Sequence, residues 1–210
     1  YGWSFKRATG FFDVVAYTGT GSATTVNHNL GVAPELIFVK VRSTADNWVV
    51  YYGDNTGKYL QLNVAQASAT NSNIFTTTAP TSSVFSVGTD GGINGSSSTY
   101  IAYLFATLAG VSKVGSYTGT GADLNVDCGF SAGARFILIK RTDSSGDWYV
   151  WDSARGIVAG NDPYLLLNST AAEVTGTDYI DPLSSGFTVT SSAPAGLNAS
   201  GGSYIFLAIS

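Results

Sequence analysis

Fourteen carboxylates, ten basic side chains, one histidine and one cysteine are the groups in this 210-residue chain able to do chemistry. Two carboxyl groups can run glycoside hydrolysis, one as acid and the other as base or nucleophile. The nearest pairs are Asp143 with Asp147, Asp147 with Asp152, and Asp178 with Asp181. Solvated loop carboxylates are the default reading of such pairs. His28 alone falls short of a metal site, which needs further strong nitrogen or sulfur ligands. No Gly-x-Ser-x-Gly elbow displays a serine for a triad. The lone thiol, Cys128, reads as a small core residue. The composition therefore points away from an enzyme, and no cofactor, metal or catalytic residue is expected.

The chemistry most suited to recognition lies in Gly146-Asp147-Trp148-Tyr149-Val150-Trp151-Asp152-Ser153-Ala154-Arg155. Strand alternation sends Trp148 and Val150 to the core and turns Asp147, Tyr149 and Trp151 outward. An outward Tyr149–Trp151 pair beside Asp152 and Arg155 would stack on a sugar ring and bond its hydroxyls. The alternative is that this aromatic face packs against another domain or subunit, the commoner use of such a surface. Tyr51, in the matching stretch Trp48–Tyr52, is the corresponding candidate in the first half. Lys40 and Lys140 each end an apolar strand. Their stems are expected over the core with the ammonium in water, the alternative being an ion pair with Asp46 or Asp147.

The elements that must position these groups are written twice. Tyr-Thr-Gly-Thr-Gly occurs at 17–21 and again at 117–121. Neither copy has the third glycine of a dinucleotide fingerprint or the Gly-Lys-Thr of a phosphate loop, so both read as strand-to-strand turns. Leu36–Lys40 matches Phe136–Lys140, Trp48 matches Trp148, and Tyr59–Asn63 matches Tyr164–Asn168. Ser82–Val87 matches Ser184–Val189, and Asn94–Ala106 matches Asn198–Ser210. His28 falls opposite Cys128, both between apolar residues on one strand face. The offset starts at 100, rises to 105 and settles at 102 and 104, as loop insertions between fixed strands require. Apolar alternation predicts seven strands per copy, and Leu36–Val39 with its counterpart is apolar on both faces, the mark of a central strand. The chain is thus read as an N-terminal arm or the end of an upstream domain (1–12), a first repeat (13–109) and a second (110–210). The fold class is all-β, two tandem pseudo-symmetric antiparallel β-sandwich, jelly-roll-like domains packed side by side.

Charged residues are only 11% of the chain, against roughly a quarter in ordinary globular proteins, so hydroxyls and amides wet the surface. A net charge of −4 with scattered basic residues gives no footprint for nucleic acid. No apolar run reaches the ~20 residues of a membrane span, and membrane insertion is not expected. The chain contains no Met and opens at Tyr1, as a processed product or a piece of something longer would.

Several segments together resemble repeat domains in virion structural proteins of tailed bacteriophages, especially those of marine and cyanobacterial hosts. They are Trp3–Arg7 leading into Gly10–Val15, Asn29–Leu36, Asn47–Tyr51, Pro80–Gly88, Tyr100–Ala106, Asp147–Gly156 and Tyr204–Ile209. The likeness spans nearly the whole chain. It departs at Ala8-Thr9-Gly10, where the family has a proline-containing link. The resemblance implies a place in the particle, often as the C-terminal part of a longer tail or fibre protein with a lectin-like sandwich upstream, and it implies no catalytic set. The expectation is an exterior virion protein, made in the infected bacterial cytoplasm. It would be a tail fibre, tailspike or other appendage, assembling as a homo-oligomer with a trimer favoured. Its partners would be other virion proteins and a host surface glycan. A capsid decoration protein is the nearest rival; a glycan-cleaving enzyme or a secreted bacterial adhesin is more distant.

Overall fold

The structure, a computed structural model, describes residues 2–53 and 56–210. It is all-β, with antiparallel pairing throughout. The chain divides into two compact units, one of residues 1–62 and 68–107, the other of 63–67 and 108–210.

The first unit contains β1 (Phe12–Thr18), β2 (Thr24–Asn27), β3 (Leu36–Val41), β4 (Val49–Tyr51), β5 (Lys58–Gln61), β6 (Ala69–Thr70), β7 (Val84–Val87), a helical turn α1 (Gly91–Asn94) and β8 (Thr99–Phe105). Six strands form one sheet in the order β1-β8-β3-β4-β5-β6, and β2 pairs with β7 in a second. The core lies between the two sheets. Ile37, Val39, Tyr100, Ala102 and Leu104 meet Val26, Phe85 and Val87 across it. As expected for a strand apolar on both faces, β3 is central, flanked by β8 and β4.

The second unit contains β9 (Ser112–Thr118), β10 (Leu124–Asp127), β11 (Phe136–Arg141), β12 (Trp148–Asp152), β13 (Leu165–Leu166), β14 (Ile180–Leu183), β15 (Gly186–Val189), the helical turn α2 (Ala195–Asn198) and β16 (Ser203–Ile209). Its larger sheet runs β9-β16-β11-β12-β13, the same relative order as β1-β8-β3-β4-β5. Its smaller sheet is β10-β15-β14, in which β10–β15 corresponds to β2–β7. Ile137, Ile139 and Phe206 pack on Val126, Phe187 and Val189 between the sheets.

The first compact unit takes in the residues before 13. Ala8 bridges Phe12 as Leu108 bridges Ser112, each around a glycine with positive φ, Gly10 at 77° and Gly110 at 73°. The N-terminal segment, apart from Tyr1, which lies outside the described residues, belongs to the first unit. Phe5 packs its ring 5.6 Å from Phe12 and edge-on to Phe105 at 5.5 Å. Arg7 Nε donates to Asp13 Oδ1 at 2.6 Å.

Candidate functional site

The aromatic segment of the second repeat is not a surface. All five residues of β12 are buried, Trp151 completely and Tyr149 at 8% exposure. This corrects the expectation that Tyr149 and Trp151 face outward with Asp147. The reason lies in the sheet. β12 lies inside its sheet, paired with β11 on one edge and β13 on the other, and residues on both of its faces are buried. Tyr149 and Trp151 point into the core between the sheets, stacked with centroids 5.8 Å apart. Burial pushes the Tyr149 hydroxyl up to about 12. Trp151 Nε1 donates to the Asp162 carbonyl at 3.2 Å.

The polar candidates are also committed to structure. Asp152 Oδ1 accepts from the N–H groups of Ala154 and Arg155, both at 3.0 Å, and its other oxygen pairs with the Arg155 guanidinium. Arg155 also faces Glu173 at 3.6 Å. Asp147 accepts from Asn168 Nδ2 at 2.7 Å, and Asn168 Oδ1 takes the Trp148 N–H at 2.8 Å. Tyr51 sits in the first unit's core at 4% exposure, edge-on to Phe75. Asp147, Tyr149, Trp151, Asp152 and Arg155 therefore form no open platform for a sugar.

Lys140 also departs from expectation. Its side chain is fully buried, and Nζ donates to the carbonyls of Gly146 at 2.6 Å and Ala65 at 3.1 Å. Burial pulls its pKa down to about 8 against the opposing pull of Asp147. Lys40 is only partly buried and reaches the Val41 carbonyl at 2.9 Å. His28 and Cys128 behave as packed residues, at 5% and 7% exposure. Desolvation lowers the His28 pKa and lifts the Cys128 thiol to about 12. Among the described residues no three His, Cys, Asp or Glu side chains gather as a metal site. No helix among them is long and apolar enough to cross a membrane.

The sequence reading passed over two features. One is Asp162, fully buried, whose carboxylate accepts from Tyr179 N–H at 2.8 Å and Ile180 N–H at 3.2 Å. Burial outweighs those bonds and raises it to about 6. The other is the work of the doubled Tyr-Thr-Gly-Thr-Gly. In the first unit Asn94 Oδ1 accepts Thr20 N–H at 2.8 Å, while Nδ2 donates to the carbonyls of Ser22 and Gly88. Asn198 does the same for Thr120 N–H, Ala122 and Thr190. Tyr17 donates to the Ile93 carbonyl and Tyr117 to that of Leu197, both at 2.7 Å. A Cβ on Gly19 would stand 2.3 Å from the Gly95 oxygen, and one on Gly119 at 2.3 Å from that of Ala199. These glycines serve close backbone approach, whereas Gly21 and Gly121 supply the positive φ. The motif is a structural staple for α1 and α2.

Concave polar surface exists elsewhere in the second unit. A cleft of about 420 Å3 opens between β9 and β10, lined by Lys113, Gly115, Ser116, Tyr117, Asn125, Val126, Asp127 and Phe206.

The chain belongs to the DUF7483 family, a domain of unknown function whose model matches residues 4–210. No curated protein and no solved structure matches it.

Proposed function

We propose that this chain is a non-catalytic assembly and attachment module on the exterior of a tailed-phage particle. It would be part of a tail fibre, tailspike or comparable appendage, working as a homo-oligomer, with a trimer favoured, that meets other virion proteins and a host-surface glycan. The observation that carries this reading is the repeated strand order of two sandwich units whose strongest chemical groups serve packing. Asp152 and Arg155 clamp a turn, Lys140 holds carbonyls, and the Tyr and Asn of the staple hold helical turns. Such a unit presents loops and polar cleft surface, as a binding module does. The likeness to tailed-phage repeat domains supplies the virion setting.

Antibody raised against the purified chain should label intact particles at a tail or appendage in electron micrographs, and the free chain should slow adsorption to host cells. Labelling over the head at a stoichiometry matching the capsid lattice would favour a decoration protein instead. Unlabelled particles would sink the virion reading. Host polysaccharide shortened by the wild-type chain, but not by Asp147→Asn or Asp152→Asn, would establish the enzyme alternative.

A further inference from the structure

We propose that His28 is an acid-sensitive latch. It fastens the loop of residues 28–31 to the N-terminal turn at Thr9–Gly10 and lets go when the imidazole takes up a second proton. The device belongs to the first unit alone and stands or falls independently of the virion reading.

His28 directly follows β2, is 5% exposed, and stacks its ring 6.4 Å from Phe85. Its Nδ1 accepts the Leu30 N–H at 3.2 Å, so the proton of the neutral ring sits on Nε2. Nε2 is buried and faces the Thr81 and Val84 carbonyls without closing a hydrogen bond. Beside the imidazole, the loop is tied to the N-terminal residues at three points. The Leu30 carbonyl accepts the Gly10 N–H at 2.7 Å. The Asn29 N–H donates to Asp13 Oδ2 at 2.8 Å. Thr9 Cγ2 stands 2.7 Å from where a Cβ on Gly31 would be. Asp13 in turn takes Arg7 Nε at 2.6 Å. One dipeptide, Asn29-Leu30, therefore joins the ring to the segment that precedes β1.

A proton on Nδ1 turns the acceptor into a donor aimed at the Leu30 N–H, and leaves a buried cation with no closed bond. Lifting the loop brings the ring to water and parts the ties at Gly10 and Asn29. Asp13 is the charged group that faces the imidazole from β1, and it favours the charged ring. Arg7, paired with Asp13, offsets that pull. Residues 29–34 and 81–85 are uncharged, and Glu35 is turned to the Thr107 N–H. Desolvation outweighs the Thr81 and Val84 carbonyls and Asp13, so the folded-state pKa lies below the ordinary 6.5. The lifted ring regains about 6.5. The latch is therefore closed above that value and weakens as pH falls below it. Burial works against the Asp13 carboxylate, but the Asn29 N–H and Arg7 outweigh it, so Asp13 stays charged between pH 7 and 5. The second unit has no such latch. Cys128 stands at the matched position, its thiol lifted to about 12, and the Phe130 N–H is held by the Ser185 carbonyl instead.

The test is hydrogen exchange of the full chain at pH 7 and pH 5, each amide referred to its rate in an unprotected chain at the same pH. Protection of Gly10, Asn29 and Leu30 should fall by about tenfold or more on acidification. Val39 and Ala102 in the same unit, and Phe130 in the second, should keep theirs. His28→Asn retains a side-chain acceptor for the amide two residues on, as Asp127 does for Gly129, and does not titrate. Its protection at Gly10, Asn29 and Leu30 should be the same at both pH values. His28→Cys installs the residue of the second unit without the acceptor, and should leave Gly10 and Leu30 weakly protected at both. His28 is the single histidine of the chain, so an NMR titration of its ring reads the latch with no variant and should give a pKa below about 6.5. A ring pKa at or above that value would overturn the latch. So would wild-type protection equal at the two pH values, or a fall that persists in His28→Asn. An equal fall at Val39 and Ala102 would also overturn it, because the unit would then be unfolding as a whole.

Discussion

At the residue scale, burial decides what each ionisable group does. Asp162 is the clearest case. Its folded-state pKa is lifted to about 6 by burial, with Asp178 adding to the lift. The unfolded value is about 4. Between about pH 4 and 6 the native chain holds a proton that the unfolded chain has released, so stability falls as pH rises through that window, and the deficit is complete above it. Asp162→Asn cannot titrate. The difference in unfolding free energy, variant minus wild type, should move in the variant's favour by on the order of 1–3 kcal/mol between about pH 4 and 6.5. Urea unfolding at several pH values measures it. A difference flat with pH would mean that Asp162 keeps an ordinary carboxylate pKa. The same scale explains why the expected sugar platform failed. Trp148-Tyr149-Val150-Trp151 is apolar at every position. That pattern marked Leu36–Val39 as a strand covered on both faces, and it holds for β12 as well. Alternation assigned an outside to a strand that has none.

At the element scale, most strands were legible because apolar periodicity is strong and turn residues bracket it. The seven strands expected in each copy are present, β1–β5, β7 and β8 in the first and β9–β13, β15 and β16 in the second. The strands β6 and β14 escaped. Ala69–Thr70 is two exposed residues, and Ile180–Leu183 contains Pro182. The helical turns escaped too, since four residues carry no helical period. Their stability comes from the staple, whose asparagine is distant in sequence from most of what it holds. Asn198→Ala would strand the Thr120 N–H and the carbonyls of Ala122 and Thr190. Asn94→Ala would strand the matching three groups. Each substitution should cost about 2–4 kcal/mol, as unsatisfied buried groups do, and the two costs should agree to within about 1 kcal/mol because the networks are the same. Hydrogen exchange at β1 and β8 for Asn94→Ala, and at β9 and β16 for Asn198→Ala, reports each cost locally. Unchanged exchange in either would show that the asparagine only decorates its turn.

At the scale of the whole molecule, the repeat boundary in sequence and the unit boundary in space differ. Asn63–Ala67 follows β5 of the first repeat but belongs to the second unit. No periodicity announces this, since the segment is neither strand nor helix. What ties it there is the Ala65 carbonyl, which accepts from Gly146 N–H at 2.8 Å and from Lys140 Nζ at 3.1 Å. Lys140 is buried with a pKa already drawn down to about 8, so losing an acceptor leaves a charge with less to offset its desolvation. A fragment of residues 108–210 should therefore be less stable than the same unit in the full chain, by about 1–3 kcal/mol for the missing acceptor. Hydrogen exchange at Ile139 and Tyr149 in the two proteins measures the gap. Lys140→Met should narrow it, because a thioether needs no carbonyl. Equal protection in fragment and full chain would mean that the segment rests on the unit without supporting it. A gap that Lys140→Met leaves untouched would assign the support to the Gly146 bond alone.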